Sequence, residues 1–103
     1  MIDKKADGLL SEAVDSELQN IRLVHGNQYN SLHEGYAVLL EEVEEAKNEL
    51  EGIELQMSDL WYCIKHNDNQ GAADALRRLE SHAFFLLQEA CQVCAVTEKF
   101  RGV

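Results

Sequence analysis

The sequence predicts an all-α protein built from a long antiparallel helical hairpin and a shorter N-terminal helix. Three observations support this prediction. The chain has no proline, and β-branched and aromatic residues are sparse, which disfavours a sheet. Apolar residues recur at alternating steps of four and three over two long segments, which is the spacing of a helical heptad. The turn-forming stretch HNDNQG, at 66–71, separates those two segments.

The N-terminal part of the chain predicts one helix. With 103 residues the chain is long enough for one domain with its own core. Residues 1–8 are polar and are expected to be loose. A first helix is predicted over about 9–25, where Leu10, Leu18 and Ile21 lie on one apolar stripe. Gly26 and Asn27 suit the end of this helix, since both residue types tolerate a positive φ.

The second helix is predicted over about 31–66. Ser31 and Glu34 have the spacing of a capping box, in which each side chain bonds a free backbone amide at a helix start. Gly52 costs ~1 kcal/mol relative to alanine inside a helix, but it does not shift the phase of the pattern. The apolar stripe comprises Leu32, Tyr36, Leu39, Val43, Ala46, Leu50, Ile53, Met57, Leu60 and Ile64.

The third helix is predicted over about 71–100. Its stripe comprises Ala72, Leu76, Leu79, Ala83, Leu86, Ala90, Val93, Thr97 and Phe100. Two long helices joined by a tight turn lie antiparallel, so each is expected to cover the other's stripe. In the predicted register Leu50 opposes Ala83, and Met57 opposes Leu76.

Apolar residues beside the stripes predict self-association. The shorter first helix cannot cover both sides of the hairpin, and an apolar patch of this size is unusual on a monomer. A homodimer or a higher homo-oligomer is therefore expected, in which two hairpins form a four-helix-type bundle. The residues concerned are Leu40, Trp61, Phe84, Phe85 and Leu87.

Charge and composition exclude several classes of partner. The formal net charge is −10, and the basic residues are scattered, which disfavours a nucleic-acid partner. No apolar run is long enough to span a bilayer, so no membrane partner is expected, and no signal peptide opens the chain. Three cysteines cannot all pair with one another, and they favour a reducing, cytoplasmic location.

Acidic residues of the second helix are expected to meet polar residues of the third. Glu41, Glu42 and Glu45 lie within one short stretch, and the predicted register places Glu45 opposite Glu89 and Glu42 opposite Gln92. Oxygen ligands that converge from two helices suit a hard cation such as Mg²⁺. The alternative is that these carboxylates form an ordinary solvated face.

The stretch HEGYAVLLEEVEE at 33–45, which contains an EExxE motif, and EACQVCAV at 89–96 carry a resemblance. They resemble the MazG-like all-α nucleoside triphosphate pyrophosphohydrolases, particularly the small phage-type members, over about residues 30–100. The resemblance implies that Mg²⁺ or Mn²⁺ supports cleavage of a nucleoside triphosphate into a monophosphate and pyrophosphate. It implies an acidic shell of Glu41, Glu42, Glu45 and Glu89. Gln92 stands where the family has an aspartate, and an amide is a weaker ligand for Mg²⁺.

The sequence leaves open which residues complete the site and whether the protein is catalytic. The stretch with Gln56 and Asp59 resembles a second form of the metal-binding half-motif, and it would complete the site if the chain turned near Gly52. Phosphate recognition would fall to scattered cations, listed as Lys47, Arg77 and Arg78. Gln92 and the few basic residues also fit a non-catalytic helical assembly protein that descends from the same fold.

Overall fold

The computed structural model describes residues 1–102, which form three α-helices and contain no strand. Helix α1 spans Lys4–His25, α2 spans Leu32–Lys65 and α3 spans Asn69–Arg101. The prediction of an all-α chain with three helices is confirmed. Within this described part, none of the helices has a stretch long and apolar enough to cross a lipid bilayer.

Helix α1 begins earlier than the sequence predicts. Asp3 caps it, because its Oδ1 accepts a hydrogen bond of 2.8 Å from the backbone N–H of Ala6. An aspartate in this position satisfies one of the free amides at a helix start. Residues 4–8 are therefore helical, and the expectation that they are loose is wrong. The helix ends as predicted at Gly26, which has a φ of 86° and donates its N–H to the carbonyl of Arg22.

The predicted capping box at the start of α2 forms in part. The backbone N–H of Glu34 donates to Oγ of Ser31 over 3.1 Å. The carboxylate of Glu34 instead accepts a bond of 2.9 Å from the side-chain amide of Asn30. Both bonds fix the loop between α1 and α2 where it enters the helix.

The stretch HNDNQG forms the predicted turn between α2 and α3. Asn67 has a φ of 54°, in the left-handed region that asparagine tolerates. Oδ1 of Asp68 accepts a bond of 2.9 Å from the N–H of Gly71 and so caps α3. Helix α2 passes through Gly52 without interruption.

The chain divides into two compact units, and the first contains residues 1–43 and the segment from Glu89 onward. The buried hydrophobic residues of this unit are Leu18, Tyr29, Ala95 and Val96. The rings of Tyr29 and Phe100 meet edge to face, with centroids 6.0 Å apart. Phe100 also packs on Gly35, where a Cβ would lie 2.6 Å from the ring. Glycine at position 35 thus permits the close approach of α2 and α3 in this unit.

The second unit, Glu44–Gln88, contains the turn and the helical segments that flank it. Its contacts between α2 and α3 include small and polar residues. Gln56 is buried, and its Oε1 accepts a bond of 2.8 Å from Nε of Arg78. His82 packs on Gly52, and its Nδ1 lies 2.8 Å from a carboxylate oxygen of Glu49.

Much of each apolar stripe in the second unit is exposed to solvent. Leu50, Met57 and Leu76 are 45%, 53% and 52% exposed, so the prediction that the two stripes cover each other is wrong here. The physical reason lies at Gly52, because the missing side chain lets α3 approach beside the stripe. Gln56 and Glu49 then find polar partners on α3, which removes the penalty for burying them.

Candidate functional site

A cleft with a volume of about 480 Å³ opens between the three helices of the first unit. Each helix contributes residues three or four positions apart, which places them on one helical face. The lining combines polar and charged residues with apolar ones. The lining comprises Glu17, Asn20, Ile21, Val24 and His25 from α1, Tyr29 from the loop, Glu34, Val38 and Glu42 from α2, and Gln92, Val96 and Lys99 from α3.

Two of the predicted acidic residues meet in the first unit. Glu42 and Glu89 each offer a carboxylate oxygen, and the two oxygens are no more than 4.8 Å apart. Two ligands of one Mg²⁺ ion are at most ~4.2 Å apart, because Mg–O distances are ~2.1 Å. A small side-chain rotation would therefore let both residues hold one ion. Acidic pairs of this separation are also common on solvated faces, so the carboxylates alone assign no metal.

Glu45 and Glu41 differ in their placement. Glu45 follows Glu42 by one turn of α2, is exposed and belongs to the second unit. Glu41 is exposed as well, and it lies outside the lining of the cleft. The side chain of Glu41 therefore does not line the cleft with Glu42, although the resemblance implies that both belong to one acidic shell.

Gln92 lines the cleft, and its side chain is held by α1. Its Nε2 donates a hydrogen bond of 2.8 Å to a carboxylate oxygen of Glu17. An aspartate at this position could not donate this bond. The amide at position 92 therefore has a local structural role, which is to donate a hydrogen bond to Glu17.

Sequence reasoning missed Lys99 and Tyr29, which lie together in the cleft lining. Lys99 is only 1% exposed, and its Nζ lies 4.1 Å from the centroid of the Tyr29 ring. This geometry is a cation–π contact. A signal was present in the sequence, because Lys99 follows Gln92 by seven residues and therefore lies on the same face of α3.

The phenol of Tyr29 lies in a partly buried and acidic environment. Burial raises the pKa of Tyr29 above 10.0, and the charges of Glu42 and Glu34 raise it further. Both effects disfavour the phenolate. The hydroxyl therefore remains a hydrogen-bond donor throughout the physiological range of pH.

We expect the phenol of Tyr29 to titrate above pH 10.0. The folded state keeps this proton to a higher pH than the unfolded state does. The stability from this group is therefore present below a pH of about 10 and is lost as pH rises through the folded pKa. A difference titration of phenolate absorbance between the protein and Tyr29→Phe isolates this group.

Glu42→Gln should lower the midpoint of that titration, because it removes one of the repelling charges. Glu44→Gln, on the same helix but outside the cleft, is the matched control and should leave the midpoint in place. A midpoint at or below that of free tyrosine would contradict the environment described for Tyr29.

Cys91 lies near Glu17, which lines the cleft. Burial raises the pKa of the Cys91 thiol, and the charge of Glu17 and the thiolate form of Cys94 add to the effect. In the second unit, burial followed by the charges of Asp68 and Asp59 raises the pKa of Cys63. Both groups are therefore thiols at neutral pH, which favours packing over nucleophilic roles.

The remaining predicted site residues lie in the second unit. Gln56 binds Arg78, and Asp59 lies on the same unbroken helix, so the turn near Gly52 that this alternative requires does not form. Arg77 pairs with Asp74, and Lys47 is exposed. The cation that lines the cleft is Lys99, and the expectation that Lys47, Arg77 and Arg78 supply phosphate contacts has no support in the cleft.

The chain was also compared with models of known protein families, with curated proteins and with solved structures. None of the three comparisons found a match.

Proposed function

We propose that the protein is a Mg²⁺-dependent nucleoside triphosphate pyrophosphohydrolase and that the cleft of the first unit binds its substrate. One observation carries the proposal: the carboxylate of Glu42 and the buried ammonium of Lys99 line the same cleft. A metal–triphosphate complex presents a cation, which carboxylates bind, and anionic oxygens, which an ammonium binds. An ordinary solvated acidic face gives no reason for a buried lysine.

The acidic residues have defined roles in this proposal. Glu42 and Glu89 would hold Mg²⁺ or Mn²⁺, and the EExxE resemblance adds Glu45 from the next turn of α2. The bound ion would neutralise phosphate charge and lower the pKa of a water molecule, which favours hydrolysis. Gln92 lines the cleft without adding charge, and its hydrogen bond to Glu17 holds that carboxylate in a fixed direction.

The apolar part of the cleft lining suits the nucleoside part of the substrate. Ile21, Val24, Val38 and Val96 contribute apolar side chains to the lining. Small-molecule sites typically have volumes of ~300–1,000 Å³ and combine apolar walls with a few polar groups. The cleft has both properties.

Pyrophosphate release from a panel of ribo- and deoxyribonucleoside triphosphates tests this function. We expect release that depends on Mg²⁺ or Mn²⁺, and a decrease in kcat of about 100-fold or more in Glu42→Gln/Glu45→Gln, since loss of even a supporting partner of a metal site costs ~10–100-fold. Glu44→Gln, which lies between the two positions, should retain activity. Release that is equal in the protein and the double variant would exclude the proposal.

The second candidate function is a non-catalytic helical assembly protein, which the exposed apolar residues of the second unit favour. The two functions differ in their response to Mg²⁺. A ligand that binds only the folded state raises the melting temperature. If the protein is the enzyme, millimolar Mg²⁺ should raise its melting temperature and should not shift that of Glu42→Gln/Glu45→Gln. If it is an assembly protein, Mg²⁺ should leave the melting temperature unchanged.

We further propose that a second copy of the chain covers the apolar surface of the second unit. Ala75 is the buried hydrophobic residue of this unit in the described chain, so the unit has little core of its own. Packing of two such surfaces would give the four-helix-type bundle that the sequence predicts. The exposed apolar residues of the unit are Leu50, Leu55, Met57, Trp61, Tyr62, Ile64, Leu76, Phe84, Phe85 and Leu87.

A further inference from the structure

Lys99 is an unusual residue for the interior of this protein. It is the largest side chain with less than 2% exposure in the described chain. Burial of an ammonium is unfavourable unless other groups compensate for the lost water, and lysine side chains near a helix end usually extend into solvent. The lysine at 99 lies two residues before the end of α3, yet it remains inside against Tyr29.

Lys99 shares the cleft with more than one carboxylate. The cleft is lined by the carboxylates of Glu17, Glu34 and Glu42 and by the ammonium of Lys99. Glu17 and Glu34 accept hydrogen bonds from the side-chain amides of Gln92 and Asn30. A polyphosphate entering the cleft would be repelled by all three carboxylates and attracted by Lys99.

We propose that Lys99 is the protein's own anion subsite, whose ammonium binds the non-bridging oxygens of the substrate's polyphosphate. Tyr29 is a positioning residue, because its ring contacts the ammonium and directs it within the cleft. This inference rests on the proposed function and names the group that recognises the phosphates. The same chemistry would bind the pyrophosphate product.

Two features of the cleft support this assignment. The carboxylate of Glu42 lies close enough to Tyr29 for its charge to act on the phenol, and the ammonium of Lys99 contacts the ring of the same residue. The ring of Tyr29 is itself held by its edge-to-face contact with Phe100. The ammonium is therefore preorganised, which reduces the loss of side-chain freedom on binding.

Binding of inorganic tripolyphosphate in the presence of Mg²⁺, measured by calorimetry on the full chain, tests the subsite without turnover. We expect Lys99→Met, which keeps most of the apolar stem, to weaken binding by about tenfold or more, because a charge-assisted contact is lost. Lys99→Arg should remain within about threefold of the original protein, because it keeps the charge.

A matched pair at position 29 tests the positioning role. Tyr29→Phe keeps the ring and should bind tripolyphosphate as the original protein does. Tyr29→Leu removes the ring and should bind more weakly. This pair also decides the matter if Lys99→Met does not fold, which circular dichroism would reveal.

The outcomes separate this inference from the proposed function. Equal tripolyphosphate affinity in Lys99→Met, or no binding by the original protein, would overturn the subsite, whatever the hydrolysis assay gives. A Lys99→Met variant that only melts at a lower temperature would show a structural counter-ion and likewise overturn it. Binding that depends on Lys99 without pyrophosphate release would support the subsite and exclude the enzyme.

Discussion

Replacing Gly35 by alanine is expected to destabilise the protein by up to about 2 kcal/mol, although alanine is the better helix former. Alanine gains ~1 kcal/mol over glycine inside a helix. Its Cβ, however, would lie 2.6 Å from Cε1 of Phe100, well inside the optimal carbon–carbon separation of ~3.5–4.0 Å. Phe100 has little room to withdraw because it packs against buried Tyr29. Overpacking of this kind typically costs ~1–3 kcal/mol and outweighs the gain.

Gly8→Ala is the matched control for Gly35→Ala. Gly8 is also helical, but nothing lies within 4 Å of the Cβ that alanine would add. This variant should therefore be stabilised by ~0.5–1 kcal/mol. Thermal and urea unfolding followed by circular dichroism measure both variants, and ~1 kcal/mol corresponds to a shift of ~4–8 °C for a domain of this size. A rise in melting temperature for both variants would contradict the packing described at Gly35.

The protein is expected to sediment at low micromolar concentration as at least a dimer, above the 11.7 kDa of one chain. Met57 and Trp61 lie one turn apart on α2 and are 53% and 59% exposed in the second unit. Met57→Glu/Trp61→Glu should abolish association, because it would place charges in an apolar interface. The melting temperature of the original protein should also fall on dilution, since a partner subunit stabilises by mass action.

Leu23→Glu is the control for the association experiment. Leu23 is 86% exposed but belongs to α1 in the first unit, so this variant should keep the original mass. A clean monomer mass for the original protein, with a melting temperature independent of concentration, would exclude the homodimer. An unchanged mass in Met57→Glu/Trp61→Glu would exclude this surface as the interface.

The helices could be predicted because their signals are local. Heptad spacing, the pair Ser31 and Glu34, and the turn at 66–71 each act within a few residues of chain. The side of α2 that faces α3 could not be predicted from the same pattern. In the second unit that contact depends on the absence of a side chain at Gly52 and on partners for Gln56. From the sequence alone Gly52 counted only as a weak point of the helix.

The site was predictable to the extent that it depends on the hairpin register. Counting residues placed Glu45 opposite Glu89 and Glu42 opposite Gln92, and in the structure the carboxylate oxygens of Glu42 and Glu89 lie within 4.8 Å of each other. Lys99 and Tyr29 depend on how the loop after α1 returns to the helices, which is a tertiary arrangement without a local pattern. Glu17 is placed by the same arrangement.

The bond between Gln92 and Glu17 limits which substitutions the cleft can accept and in what order. Aspartate at position 92, as the family resemblance would have it, would lose the donated bond and set a second carboxylate beside the first. Neutralising Glu17 beforehand would remove that repulsion. In an evolving lineage the substitution at position 17 would therefore precede the substitution at position 92. A protein with aspartate at position 92 is thus expected to carry a neutral residue at position 17 of α1, 75 residues earlier in the chain.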